Sequence, residues 1–203
     1  MPLKALIVGS GIAGIASAIR LAARGYLVEV FEANAYPGGK LSEFTVGNYR
    51  FDAGPSLFTL PEEVEALFRL VGENPADHFP YHKLDIVCHY FWEDGTRILA
   101  HSDIQKFASE VEEKLQVPAE KVTQALSRSE FIYDHLAPLF MHRSLHQWST
   151  WTNPQALKSY LKMGKLGIFS TMNQANEARF RDSRTVRLFN RYATYNGSNP
   201  YQA

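Results

Sequence analysis

The chain has 203 residues, 45% of them hydrophobic and 13% aromatic, which is enough apolar content to bury a sizeable core and too much for a disordered segment. Lys plus Arg and Asp plus Glu both total 21, so the formal charge is zero and no global field recruits nucleic acid; no nucleic-acid partner is expected. The single cysteine, Cys88, excludes an internal disulfide framework and is read as a buried structural thiol in a reducing compartment.

The first element, Lys4-Ala-Leu-Ile-Val8, reads as a buried strand. It starts so soon after Met1 that no secretion signal fits ahead of it, and no apolar run approaches the ~18 residues of a membrane span, so a cytoplasmic location is expected. The strand turns through Gly9-Ser-Gly11-Ile-Ala-Gly14 into a helix, the arrangement that holds the pyrophosphate of an adenine dinucleotide. Gly9 permits the tight turn, Gly11 lets backbone approach the phosphates, and Gly14 lets the helix pack closely on the strand. Ile12, Ile15, Ala16, Ile19 and Leu21 give that helix an apolar stripe, and Gly25 stops it before a second strand over residues 27–31. Glu32 follows directly, 18 residues after Gly14, near the spacing of an acid that hydrogen-bonds ribose. Strand, glycine turn, helix, strand and acid in this order form a βαβ nucleotide unit.

A loop follows in Ala33-Asn-Ala-Tyr-Pro37-Gly-Gly39-Lys40, then two short strands over residues 41–46 and 48–52. Beyond the bend Asp52-Ala-Gly54-Pro55-Ser56, Thr59 and Glu62 are spaced as a capping box for a helix over 61–71 that ends at Gly72. Residues 86–92 and 96–100 flank Glu93-Asp-Gly95 and read as a hairpin. Ser102 and Gln105 repeat the capping signature before a helix to about residue 116, and Pro118 starts another that runs towards Leu136 or beyond. The change of pattern near Leu84 divides the chain into residues 1–83, the N-terminal part of a dinucleotide-binding domain, and residues 84–203, a partial second domain of mixed strands and helices.

Two further features admit a bland and a functional reading. His142 and His146 are spaced i, i+4, which would put two imidazoles on one helix face, with His135 seven residues before; no third ligand completes a recognised zinc arrangement, so they are read as surface or interface histidines and no metal is assigned. Residues 148–169 carry Trp148, Trp151, Leu157, Tyr160, Leu161, Met163, Leu166, Ile168 and Phe169 among Lys158, Lys162 and Lys165. Such a stretch suits a membrane interface and suits equally an amphipathic helix packed on its own domain.

The Gly9 to Gly14 turn, Glu32, Pro37-Gly-Gly39-Lys40 and Phe51-Asp-Ala-Gly-Pro-Ser56 occur in the order seen in the flavin amine oxidase superfamily, and Arg191-Tyr-Ala-Thr-Tyr-Asn-Gly-Ser-Asn-Pro-Tyr201 resembles a segment of bacterial-type phytoene desaturases and related carotenoid desaturases. The resemblance implies an α/β fold, a Rossmann-like FAD-binding domain with an inserted α+β substrate domain, apparently truncated, because the chain stops inside the family-like segment. It implies an FAD enzyme that introduces conjugated double bonds into a lipophilic polyene, a carotenoid, with hydride passing to the flavin. Carried over position by position, Gly9, Ser10, Gly11, Ala13 and Gly14 would bind pyrophosphate and Glu32 the adenosine ribose. Gly39 and Lys40 would lie beside the flavin phosphates and ribityl chain, and Gly54, Pro55 and Ser56 would bring backbone close to the flavin. Lys40 departs from the arginine usual in the family, keeping the charge and losing the planar fork. A carotenoid isomerase, an amine-oxidising flavoenzyme and an inactive piece that binds only nucleotide are the competing readings. No catalytic residue is assigned, and attachment to the inner face of the cytoplasmic membrane is the expected localisation where the residue 148–169 stretch meets lipid.

Overall fold

The computed structural model describes residues 1–55, 58–162, 164, 166–167 and 169–202. Its contacts divide the chain into residues 1–82 and 83–203.

In the first unit, β1 (Lys4–Val8) runs into α1 (Ile12–Ala22) and returns as β2 (Leu27–Phe31), with the two strands parallel and Ile7 opposite Val30. A parallel pair needs a crossover, and α1 supplies it. Ala5 and Ile7 are half-buried on the face that α1 packs against, whereas Leu6 and Val8 point the other way and are 62% and 90% exposed. The buried strand expected from the apolar run is therefore covered on one face only. A continuous apolar run signals two covered faces, and the described residues provide one layer of helix.

A hairpin follows, β3 (Glu43–Val46) antiparallel to β4 (Tyr49–Asp52), with Phe44 stacked on Phe51. Next come α2 (Pro61–Leu70) and the short α3 (Pro75–His78). The capping box expected from Thr59 and Glu62 does not form. Leu60 occupies the cap position with φ +54°, and no side chain caps the helix. Pro61 explains the displacement: it is pre-set for the first helical position, which puts the cap at the residue before it.

The second unit opens with the antiparallel hairpin β5 (Ile86–Phe91) and β6 (Arg97–His101). Helix α4 (Ile104–Leu115) is capped by Asp103, whose carboxylate accepts from the Lys106 amide at 2.8 Å, one residue later than the Ser102 cap expected. Asp and Ser cap equally well, so adjacent candidates leave the sequence ambiguous. Helix α5 (Ala119–Phe140) starts after Pro118. Then come α6 (Trp148–Thr152), α7 (Pro154–Leu161), α8 (Met172–Arg179), α9 (Ser183–Asn190) and a 3₁₀ segment, Arg191–Asn196. Asn153, extended ahead of Pro154, interrupts the residue 148–169 stretch, as a residue before proline should. Met163, Lys165 and Ile168 lie outside the described residues. His142 and His146 lie in the turns between α5 and α6, off any helix, so the shared helix face is not formed.

The hydrophobic core cluster belongs wholly to this second unit. Ile98 from β6, Val111 from α4, Val122 from α5 and Leu188 from α9 are at most 2% exposed, and Phe180 stacks on Phe189 at 4.7 Å. Cys88 packs against this cluster from β5 but is only half-buried, which corrects the expectation of a buried thiol. Among the described residues β5 pairs with β6 alone, so its other edge is not covered by a strand.

Candidate dinucleotide-binding site

The turn from β1 into α1 is built on backbone. Gly9 has φ +95°, a conformation glycine adopts at no steric cost, and its amide donates to the Phe31 carbonyl at 2.7 Å, so the turn is tied to the end of β2. Gly11 caps α1 in an extended conformation without a side-chain hydrogen bond. The first amides of α1 thus keep their donors, and the positive end of the helix dipole, for an outside acceptor. Close packing is enforced at Gly14, where a Cβ would stand 2.0 Å from the Gly9 carbonyl oxygen and 3.6 Å from Ile7 Cγ2.

Glu32 comes off the end of β2 and turns back onto this loop. Its Oε2 accepts from the Ser10 amide at 2.7 Å and the Ser10 hydroxyl at 2.8 Å; its Oε1 accepts from the amide and the side-chain nitrogen of Asn34, both at 2.9 Å. The Asn34 amide, followed by the Ser10 amide and hydroxyl, holds the Glu32 carboxyl down at about 2, so it is an anion throughout the physiological range. Asn34 carried no motif of its own. The signal available was a short amide side chain two residues past the acid, the spacing at which Asn closes a local turn.

The loop after Glu32 also folds back. The Gly38 amide donates to the Ser10 carbonyl at 2.9 Å, Gly38 bridges Gly11 in parallel fashion, and a Cβ on Gly39 would lie 3.1 Å from Gly11 Cα. Gly9, Ser10, Gly11, Gly14, Glu32 and Gly39 are thereby brought into one cluster. Ala13 is exposed in the first turn of α1, and the Lys40 side chain is exposed at the edge of the loop. Gly54 sits against the Lys40 peptide, where a Cβ would be 1.9 Å from the Lys40 carbonyl oxygen, and Pro55 follows it. Ser56 lies outside the described residues.

A cavity of about 540 Å³ opens beside this cluster, lined by Tyr36, Leu41, Arg50, Gly54 and Pro55 among others. Arg50 was not anticipated. It ion-pairs with Glu43 and reaches Asp52 at 3.0 Å, and this partnership raises its already high pKa, chiefly through Glu43. The available signal was period two: Arg50 and Asp52 share a face of β4, and Asp52 stands opposite Glu43 in register.

Among the described residues no group of His, Cys, Asp and Glu is arranged to hold a metal, and no helix is long and apolar enough to cross a membrane.

A family model for the NAD(P)-binding Rossmann-like domain matches residues 7–73, the segment that carries the glycine turn, Glu32 and the returning loop. This points to a dinucleotide cofactor. Curated proteins match along nearly the whole chain. The 1-hydroxycarotenoid 3,4-desaturase of Flavobacterium sp. (strain P99-3) is 46% identical over 198 residues, which is 98% of this chain and 40% of that protein. The hydroxyneurosporene desaturase of Rubrivivax gelatinosus is 28% identical, with 98% and 38% covered, and the 4,4'-diapophytoene desaturase of Staphylococcus haemolyticus (strain JCSC1435) is 26% identical, with 97% and 38% covered. The chain therefore spans about two fifths of the length of the relatives it matches. Its homologues are carotenoid desaturases, and these 203 residues correspond to their N-terminal portion, with the Rossmann-like dinucleotide-binding domain at the start.

Proposed function

We propose that this chain is the dinucleotide-binding part, with the first portion of a substrate domain, of an FAD-dependent carotenoid desaturase of the phytoene desaturase type. The observation that carries the reading is the convergence of Gly9, Ser10, Gly11, Gly14, Glu32 and Gly39 on one face of the β1–α1 turn. The cradle fits a dinucleotide: open amides at the start of α1 suit a pyrophosphate, and side chains at Gly14 and Gly39 would crowd the backbone that forms it. Gly9, Ser10, Gly11, Ala13 and Gly14 would hold the pyrophosphate and Glu32 the adenosine ribose. Gly39, Lys40, Gly54, Pro55 and Ser56 would lie along the flavin side. Bound there, FAD supplies the acceptor for hydride removed from a carbon–carbon single bond of the polyene. The residues of this chain bind and orient it, and residues 1–83 and 84–203 divide that work from substrate binding.

We also propose that the carotenoid is met at a membrane surface on the cytoplasmic side. Trp148 is 84% exposed, Leu161 81% and Phe169 87%, within a stretch that includes Lys158 and Lys162. Indole and aliphatic side chains held out beside ammonium groups suit the boundary between headgroups and acyl chains.

The test is to express the gene that encodes this chain in bacteria that accumulate phytoene or a 1-hydroxylated carotenoid. Acid release of the bound nucleotide should give FAD, and the pigment extract should shift to longer wavelength as conjugation lengthens. Bound NAD in place of FAD, or bound FAD with every tested carotenoid unchanged, overturns the desaturase reading.

A further inference from the structure

In the second unit, the end of α5, the turn that follows it, α6 and α7 form one exposed apolar surface. Trp151 joins its parts. Its ring meets Phe140 edge-on at 6.1 Å, its indole Nε1 donates to the Leu145 carbonyl at 2.9 Å, and its carbonyl accepts from the Tyr160 hydroxyl at 3.2 Å. A cavity of about 230 Å³ is lined by Leu145, Trp148 and Trp151 among others. Every residue from 140 to 149 is exposed, Phe140, Met141 and Leu145 included. On α7, Ala156 and Ser159 are buried, and the Ser159 hydroxyl donates to the His135 carbonyl of α5 at 2.9 Å. At about 100° per residue, Leu157 and Leu161 fall on the opposite side of that helix, and both are more than half exposed.

Charge sets this surface apart from a scatter of exposed apolar side chains. Residues 135–176 contain neither Asp nor Glu, although about four of the chain's 21 acids would fall there if they were evenly spread. The same run carries Arg143 in the turn and Lys158 on α7, both exposed, and neither forms an ion pair among the described residues. Lys162 turns back to α5, where its ammonium faces His135 Nε2 at 3.0 Å. The acids nearest in sequence are Asp134, about 9 Å back along α5 from Phe140, and Glu177 on α8. The Trp148 indole nitrogen makes no hydrogen bond among the described residues. A contiguous apolar group bordered by charge of one sign marks a surface that meets something other than water.

We propose that this surface, from Phe140 to Leu161, docks on an anionic phospholipid bilayer, with Trp148 and Leu161 entering the boundary beneath the headgroups and Arg143 and Lys158 meeting lipid phosphates. This docking rests on the membrane reading above, to which it adds the inserting element and the lipid class. Charge selects the occupant: basic side chains without acids among them fit a negatively charged surface, and an indole with its N–H free fits the layer where acyl chain gives way to headgroup. Trp151 and Tyr160 direct their polar atoms to one another's neighbourhood of the backbone and hold the surface in shape, so Trp148 and Leu161 are the side chains left to enter lipid. A second copy of the chain docked through the same patch would set like cations against one another across the contact.

The experiment is flotation of the protein with vesicles of phosphatidylcholine alone and of phosphatidylcholine with about one fifth phosphatidylglycerol, at low and high salt. The parent should bind the anionic vesicles more tightly and lose most of that excess at high salt. Arg143→Gln/Lys158→Gln should weaken binding to the anionic vesicles at least ~10-fold. Trp148→Ser/Leu161→Ser should weaken binding to both compositions at least ~10-fold. Two controls in the first unit should stay within about twofold of the parent: Arg20→Gln/Arg24→Gln, with the same change of net charge, and Tyr49→Ser, at an exposed apolar position. A measurement on the unaltered protein keeps the test valid if a variant fails to fold. Lipids brominated along the acyl chain should quench the tryptophan emission that Trp148 supplies, Trp92 being packed against the core. Vesicle binding that survives both double variants without quenching, or that the controls lose equally, overturns the docking surface and leaves the membrane reading standing. Binding to neither vesicle overturns both. Self-association that Trp148→Ser/Leu161→Ser abolishes, with no vesicle bound, assigns the surface to a second copy of the chain and overturns the lipid occupant.

Discussion

Ser10 makes two hydrogen bonds to a single oxygen of Glu32, its amide at 2.7 Å and its hydroxyl at 2.8 Å, and so joins the glycine turn to the end of β2. With Asn34 on the other oxygen, the carboxylate is held as an anion and its pKa falls from 4.5 to about 2. A group depressed in the folded state contributes stability that is fully present above its unfolded value and is lost as pH falls through the folded one. Glu32→Gln should therefore lower the urea midpoint at pH 7, with the gap to the parent closing between pH 4.5 and 2. Carboxyl carbon NMR should find Glu32 titrating near the bottom of that range, and upward in Ser10→Ala. A midpoint gap that stays constant down to pH 2 would mean the four donors do not favour the charged form.

Gly14 tests the close approach of α1 to the strand. A methyl group there would stand 2.0 Å from the Gly9 carbonyl oxygen, against backbone that cannot rotate away. Gly14→Ala should lose about 1–3 kcal/mol of stability, the range for overpacking, and abolish measurable dinucleotide binding. Gly164→Ala has open space around the new Cβ and no positive φ, so it serves as the neutral control. Equal denaturation midpoints for both variants would contradict the geometry.

Lys40 offers a gain rather than a loss. Its side chain is exposed beside the Gly39 turn, and an ammonium meets phosphate as a point charge where a guanidinium makes two parallel bonds. Lys40→Arg should tighten FAD binding by about two- to tenfold, read from flavin fluorescence quenching, with the unfolding midpoint of the apoprotein unchanged. Unaltered flavin affinity would place residue 40 away from the phosphates.

How much of this was written in the sequence varies with the physics of each part. Lys4–Val8, Ile12–Ala22 and Leu27–Phe31 were readable because an apolar run, a helical stripe and a glycine stop each act over a few residues. The approach of Glu32 to the glycine turn followed from chain order, but its donors did not: nothing in the spacing distinguishes Ser10 and Asn34 from other small polar residues. Caps were misread at Thr59 and Ser102 for a related reason. Both are good capping residues, and the choice of Leu60 and Asp103 was made by Pro61 and by an equally good neighbour. Exposure was the least legible property. Leu6 and Val8 look buried by composition, and what decides their exposure is how many layers surround a strand.

In the second unit, a buried chain of amides ties α8 to α9. Asn176 Nδ2 donates to Asn190 Oδ1 at 2.8 Å, and Asn190 Nδ2 donates to Asn173 Oδ1 at 2.7 Å, with Asn176 and Asn190 only 6% and 5% exposed. Removing one partner leaves a desolvated donor without an acceptor. Asn190→Ala should lose about 1–3 kcal/mol. Adding Asn176→Ala should cost clearly less than the sum of the single variants, because the stranded group is then gone. Strict additivity in a double-mutant cycle would show that the amides do not act together.

The two units should also differ in how they open. The hydrophobic core cluster lies entirely within residues 83–203, while the sheet of the first unit leaves Leu6, Val8, Leu27 and Phe31 more than half exposed. Few buried apolar contacts mean a low free energy of local opening. Amides of β1 and β2 should therefore exchange with solvent well before those of α4 and α5. A dinucleotide that binds only the folded turn should protect β1 and β2 selectively, by about 2.7 kcal/mol at a hundredfold excess over Kd. Hydrogen exchange measured by mass spectrometry with and without FAD separates the cases. Equal protection of both units in the absence of ligand would refute the expected order of opening, and uniform protection on adding FAD would place the cofactor outside the β1–α1 turn.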